Sequence, residues 1–323
     1  MRPTIEPDGE FMSEILFSIV VLTFNRVEVV AELLEQLAEI SRYDVEILVV
    51  DNGSTDGTSD FVSLNYQKFR LIRSEVNLGA VGRNLGIAEA RGKYVVTIDD
   101  DILYINSDSL TRIKYLFDET PSIGAICFKV LDFYSSEICN WCHPKRVEDW
   151  KDIPFETNEI TEGAVVFRNE MLEKTGYYTE PFVISHEGAD LAARIIESGY
   201  EIHYTPLVQV KHKYASEARD RWRRYYYDTR NNFWLVIRNY HILFAISYLC
   251  RRLPVTFIYS LRDGYLNYWM KAVWDAVREM PLMCSQRKPV SFQTQRKLRL
   301  LNKQKPGFLY YFTKRFFSKQ VRI

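Results

Sequence analysis

The chain has 323 residues, 47% hydrophobic and 26% charged, which excludes a disordered polypeptide and leaves room for one sizeable core plus an extension. Its net charge of zero hides a division: residues 1–210 carry 18 Lys and Arg against 36 Asp and Glu, and residues 211–323 carry 24 against 6. The basic part is also aromatic (Trp222, Trp234, Trp269, Trp274), which suits an anionic membrane surface, whereas the acidic body repels phosphate backbones and argues against nucleic acid.

Residues 1–14 form an acidic arm (Glu6, Asp8, Glu10) without the basic start of a signal peptide. Ile15 to Thr23 is a nearly continuous apolar run, as expected for a strand buried on both faces of a parallel sheet. Val30, Leu33, Leu34 and Leu37 then recur at helical spacing, with Asn25 and Glu28 reading as a capping box. Val45 to Val50 is a second strand, ended by the turn cluster Asp51 to Gly57. A helix (58–67), a strand (70–74), a small-residue helix (79–91) and a strand (94–98) follow. That alternation predicts an open α/β sheet with ligands at the carboxyl ends of its strands.

Beyond it the pattern reads helix (107–118), strand (123–130), an irregular stretch to 160, strand (161–167), helix (187–198) and strand (202–210). From Glu217 onward it is helical, with Pro254 and Pro281 expected to divide that region. The longest apolar run there, Ile242 to Cys250, is about half a bilayer span and argues against a transmembrane helix. Five cysteines without paired spacing fit a reducing cytoplasm. Cys139-Asn-Trp-Cys142-His143 has haem-attachment spacing but reads as ordinary loop residues in a chain with no export signal.

The chemistry-bearing clusters fall on one edge of the predicted sheet. Thr23-Phe-Asn-Arg26 ends the first strand, Asp51-Asn52 the second, Asn77-Leu-Gly79 the third and Asp99-Asp100-Asp101 the fourth. Three adjacent carboxylates repel and raise one another's pKa, a cost that a divalent cation removes. They are hard oxygen ligands suited to Mg²⁺ or Mn²⁺ held together with a diphosphate.

With these residues in view, SIVVLTFNR (18–26), VVDNGSTDGT (49–58), NLGAVGRNLGIAEARGKYVVTIDDD (77–101), GAVVFR (163–168) and EGADLAAR (187–194) resemble family 2 of the GT-A glycosyltransferases. The resemblance covers roughly residues 15–215. It implies a Rossmann-like nucleotide-sugar-binding domain with a mainly parallel mixed sheet; the region that follows (216–323) reads from its own pattern and composition as a basic, aromatic helical extension that associates with a membrane. It further implies that Thr23 and Asp51 hold the nucleotide base, with Asn25, Arg26 and Asn52 close by. Asn77, Gly79 and Arg83 belong to the donor site, Asp99 and Asp100 to its acidic edge, and Gly163 to the floor beneath the donor sugar. Asp99 and Asp101 are the implied metal-side acids, and His212 completes the metal or diphosphate site.

The family places its general base in a short acidic motif at the start of the 187–198 helix. Here Gly188 stands where the second acid would be, so the base falls to Glu187, with Asp190 (which also pairs with Arg194 at i+4) and His186 as alternatives. Trp141 and Trp150 suit either stacking on an acceptor sugar or core packing. The implied activity is inverting sugar transfer from a UDP- or dTDP-sugar to a glycan or lipid-linked hydroxyl in cell-surface polysaccharide synthesis, at the inner face of the plasma membrane. The alternative is a non-catalytic relative that binds a nucleotide sugar.

Overall fold

The computed structural model describes residues 14–40, 44–214, 221–307 and 310; the expected N-terminal arm, and the tail from Phe308 to Phe317 apart from Tyr310, lie outside them. In the first part strand and helix alternate as β1 (Phe17–Thr23), α1 (Val27–Ala38), β2 (Val45–Asp51), α2 (Thr58–Asn65), β3 (Arg70–Arg73), α3 (Arg83–Glu89) and β4 (Tyr94–Asp99). Next come β5 (Ile102–Leu103), α4 (Ser107–Glu119), β6 (Ile123–Asp132), α5 (Val147–Trp150) and β7 (Phe155–Thr157). The sheet is completed through β8 (Ala164–Arg168), α6 (Asn169–Thr175), α7 (Glu187–Glu197) and β9 (Glu201–His212). Among the described residues five helices follow: α8 (Arg221–Asn239), α9 (Ile242–Arg262), α10 (Leu266–Arg278), α11 (Met280–Ser285) and α12 (Phe292–Asn302).

Among the described residues the strands form one sheet in the order β3-β2-β1-β4-β8-β6-β9-β5, with β7 added on β9. The β3-β2-β1-β4 half is parallel, and β8 runs antiparallel to both of its neighbours, β4 and β6. That reversal brings the start of β8 to the same edge as the ends of β1, β2 and β4. Side chains of β1 alternate between the two faces: Phe17, Ile19 and Val21 pack with α1 and α4, and Val20 packs on the other side with α3 and α7. The second face continues into Trp234 on α8, so the C-terminal helices share a core with the sheet.

Four expectations change. Asn25 does not cap α1, whose N-cap is Arg26 without a side-chain hydrogen bond. Asn25 instead sits at φ +51 and ties β1 to the loop after β2: its N–H donates to Ser54 Oγ (2.8 Å) and its Oδ1 accepts from Thr55 N–H (2.7 Å). Pro254 does not break the helix but lies inside α9. Its missing donor costs roughly 3 kcal/mol, offset by Leu249 and Leu253 packing against the core. Pro281 falls in the first turn of α11, where no N–H is needed. The apolar run at 242–250 is thereby part of a 21-residue helix that is, by length and mean hydropathy (1.4), long enough to cross a membrane. The expected helix 79–91 is a 3₁₀ turn (Gly79–Gly82) leading into α3.

Candidate functional site

At the carboxyl edge the three consecutive aspartates each meet a cation, so the repulsion read from sequence is answered inside the protein. Asp99 Oδ1 accepts from Arg83, which is buried and also donates to Ala80 O (3.0 Å). Burial alone would depress the Arg83 guanidinium, but Asp99 beside it holds it protonated. Asp100 Oδ1 and Asp101 Oδ2 both accept from Arg26, each at 2.9 Å, and Thr23 Oγ1 donates to Asp100 Oδ2 at 2.8 Å. Asp100 is 3% exposed, and burial pushes its carboxyl up to about 6 against the pull of Arg26. It buttresses the edge from below. Asp101 is also buried, which would raise it, yet His212 and Arg26 hold it below the ordinary carboxylate range.

The expected trio Asp99, Asp101 and His212 is not assembled. Among the described residues no three His, Cys, Asp or Glu side chains converge on one point, and Asp99 is turned to Arg83. A pair remains. Asp101 Oδ1 and His212 Nε2 lie 3.1 Å apart, both buried, and neither makes a hydrogen bond of acceptable geometry. Two orphaned polar atoms facing each other are relieved by a cation bound to both. His212 Nδ1 is 2.9 Å from Asn140 Nδ2, and Asn140 Oδ1 accepts from Tyr214. Turning that amide over gives Nδ1–H an acceptor and frees the Nε2 lone pair for a metal.

The donor-side residues form a braced loop system. Asp51 accepts from Ser54 N–H (2.9 Å) and from Ser59 Oγ. Asn52 donates to Asn77 Oδ1 and Gly79 O, both at 3.0 Å, and accepts from Leu78 N–H at 3.0 Å. Asn77 in turn accepts from Gly79 N–H at 2.8 Å. Gly79 has φ +69, and a Cβ there would lie 2.5 Å from Val183 O. Gly163, at φ +76, lies against Asp99 so closely that a Cβ would stand 2.5 Å from its carboxyl. Glycine is therefore required at the lead-in to β8 both by conformation and by space.

At the start of α7 the candidates for proton transfer separate. Asp190 is fully buried and accepts from Arg238 Nε (3.0 Å), Asn239 Nδ2 (2.7 Å), Thr179 Oγ1 (2.7 Å) and Arg194 (2.9 and 3.1 Å). Burial would raise it, but the two arginines hold it low. It fastens α7 to α8. His186 (φ +68) has Nδ1 2.7 Å from Ser185 Oγ and Nε2 3.1 Å from Asn232 Oδ1, and burial lowers its pKa. Glu187 is 3% exposed, its carboxyl is raised by burial, and its Oε2 has no hydrogen-bond partner.

Sequence reasoning missed Glu162 and Asn140. Glu162 Oε1 accepts from Gly188 N–H at 3.0 Å; the acid directly before Gly163, at the same sheet edge, was the available signal. Cys142 and His143 are loop residues, Cys142 half-buried and His143 buried: His143 Nδ1 is 3.1 Å from Thr157 Oγ1, and burial lowers its pKa to about 3. Trp141 packs on His143, Phe155 and Tyr204, and Trp150 meets Phe155 edge-on with Lys145 over its ring at 3.2 Å; both tryptophans are half-buried.

The family model "Glycosyl transferase family 2" matches residues 18–176. The O-antigen chain rhamnosyltransferase WbaN of Salmonella anatum is 25% identical over 193 residues, covering 56% of this chain and 60% of that protein. The structure of Staphylococcus aureus TarS 1-349 in complex with UDP-GlcNAc superposes with a TM-score of 0.56 at 20% identity, over 84% of each chain. The mannosyltransferase PcManGT of Pyrobaculum calidifontis, in complex with GDP-Man and Mn²⁺, superposes with a TM-score of 0.54 at 18% identity, over 99% of this chain and 92% of that one.

Proposed function

We propose that this chain, a glycosyltransferase family 2 enzyme by its match over residues 18–176 and of GT-A fold, moves a sugar from a UDP- or dTDP-linked donor to a hydroxyl of a glycan or lipid-linked acceptor, with inversion, in cell-surface polysaccharide synthesis. One observation carries the reading: a single sheet edge gathers Asp51, Asp99, the Asp101–His212 pair and the carboxyls of Glu162 and Glu187. Asp51 keeps a second lone pair on each oxygen beyond its Ser54 and Ser59 bonds, enough to accept the ring N–H of a uracil or thymine. Asp99, oriented by Arg83, faces the ribose side of the donor, and the glycine at 163 leaves room for the Asp99 carboxyl. Asp101 and His212 fit a divalent ion, Mn²⁺ or Mg²⁺, which when bound would neutralise charge on the leaving diphosphate. A carboxylate at this edge takes the acceptor's proton during in-line attack on the anomeric carbon.

The test is the melting temperature in the presence of UDP, dTDP, GDP, CMP or NAD, each with and without Mn²⁺. A ligand that binds only the native state raises it. A rise with UDP or dTDP that needs Mn²⁺ and disappears in Asp101→Ala is expected. A rise with none of the diphosphates, or with NAD alone, contradicts the reading.

The same proposal sets the protein at the cytoplasmic face of an anionic membrane. Along α9, Ile242, Leu243, Ile246, Ile258 and Leu261 are exposed, as are Met270, Trp274 and Val277 along α10. Arg251 and Arg252 stand in the middle of α9 and are exposed. A charge at the bilayer centre costs roughly 2.5–3.5 kcal/mol per residue, which favours α9 lying in the interface over α9 spanning it. Co-sedimentation with phosphatidylglycerol-containing vesicles, and not with phosphatidylcholine alone, is expected; equal partition to both removes the electrostatic part of the proposal.

A further inference from the structure

The acidic motif at the start of α7 carries a glycine at its second position, and the structure has put another carboxylate in that glycine's side-chain space. A Cβ built on Gly188 overlaps the carboxylate of Glu162, whose Oε1 accepts the Gly188 N–H at 3.0 Å. The carboxylate thus reaches the region a side chain at 188 would occupy, but from the lead-in to β8 instead of from the helix.

Accessibility separates Glu162 from its neighbours. Asp190 is fully buried with all its acceptor capacity engaged, and Glu187 is 3% exposed. Glu162 is crowded by protein on most sides but keeps part of its surface open. It also directly precedes Gly163, the residue in contact with the Asp99 carboxyl, so its backbone is fixed beside the donor's acidic edge.

Resting on the transferase reading above, we propose that Glu162 is the general base that activates the acceptor hydroxyl, with Glu187 as a positioning residue behind it. The Glu162 carboxylate takes the hydroxyl proton as the acceptor oxygen forms its bond to the anomeric carbon. The bond from that carbon to the diphosphate oxygen breaks, and its electron pair leaves with the nucleoside diphosphate. Glu162, now a carboxylic acid, returns its proton to solvent. Burial and the nearby Glu187 push the Glu162 carboxyl up to about 8 against the pull of Arg83. A basicity near the working pH is what proton transfer in a transition state favours.

The assay follows nucleoside diphosphate release from UDP-GlcNAc, UDP-glucose and dTDP-rhamnose by the full chain, with water or a membrane-lipid extract as acceptor. Glu162→Gln is expected to lower kcat by roughly 10²–10⁴-fold, the range for loss of a general base. The donor KM and the donor-induced rise in melting temperature should stay unchanged. In Glu162→Ala combined with Gly188→Asp, an acid grown from α7 into the vacated space should restore kcat well above that of Glu162→Ala alone. A Glu162→Gln enzyme with kcat within a few-fold of the wild type overturns the assignment, as does a loss confined to Glu187→Gln. A wild type that cleaves none of these donors overturns the transferase reading and the base together, whereas a cleaving wild type indifferent to Glu162→Gln overturns the base alone.

Discussion

Replacing Asp190 separates a structural acid from a catalytic one. Its carboxylate is 0% exposed and compensates Arg194 and Arg238, whose side chains are only 18% and 12% exposed. Removing one partner of a buried ion pair costs about 3–5 kcal/mol, because the remaining charge is left uncompensated. Here Arg194 keeps the carbonyls of Thr175, Gly176 and Tyr177, and Arg238 keeps Gln286, so the low end applies. Asp190→Ala should therefore lose about 3 kcal/mol. At roughly 2–4 °C per kcal/mol for a chain of this size class, that is a fall of about 6–12 °C in Tm. The sign with pH follows from the depressed carboxyl: its stabilisation is fully present above the unfolded value for an aspartate and is lost as pH falls through the lower folded value. The gap in Tm between wild type and variant should narrow at acid pH. Thermal unfolding by circular dichroism, read beside donor turnover, makes the test. Unchanged Tm with abolished turnover in Asp190→Asn would refute the structural assignment and make Asp190 the base.

Gly163→Ala adds a Cβ 2.5 Å from the Asp99 carboxyl at φ +76; a left-handed L-residue costs about 1–2 kcal/mol. Calorimetric affinity for UDP or dTDP should fall tenfold or more, and an unchanged affinity would show that Asp99 is not held by that contact. Trp234→Ala removes a fully buried ring whose Nε1 donates to Glu279 at 2.7 Å, at a cost of about 3–5 kcal/mol. It should lower one cooperative transition of the whole molecule, and a separate early transition with the sheet unaffected would contradict a shared core. Leu243→Glu and Ile246→Glu change exposed positions on α9. Each should weaken binding to phosphatidylglycerol vesicles by about tenfold or more, from the roughly 1.5–3 kcal/mol of apolar burial forfeited, with Tm essentially unmoved. Undiminished vesicle binding would clear α9 of the role.

The sheet was legible because its strands are buried on both faces: Phe17 to Val21 are all buried and apolar except Ser18, whose hydroxyl donates to Glu46, and a nearly continuous apolar run has one economical reading. The polar ends of β1, β2 and β4 were legible for the same reason, since polar clusters interrupt those runs at matching places. What failed depends on partners distant in sequence. Three aspartates in a row suggested a metal to relieve repulsion, but Arg26 reaches Asp100 across 74 positions and Asp101 across 75. Asp190 looked like an acid of the α7 motif until Arg238, 48 positions on, closed over it. Glu162 had no periodicity to mark it, and its meeting with Gly188 is set by how β8 and α7 pack. Asn140 sits at φ +53 in the stretch read as irregular, where no repeat predicts which side chain turns inward.

The central claim is that this sheet edge cleaves a nucleotide sugar with the help of a divalent ion. The direct measurement is nucleoside diphosphate release from UDP- and dTDP-sugars by the full chain and by Asp101→Ala, with a membrane-lipid extract as acceptor and Mn²⁺ supplied or chelated. Release that requires the ion and is lost in Asp101→Ala is the expected result. Tight, metal-dependent binding of a nucleotide sugar with no release under any acceptor condition would contradict it and leave a protein that reads the donor without using it.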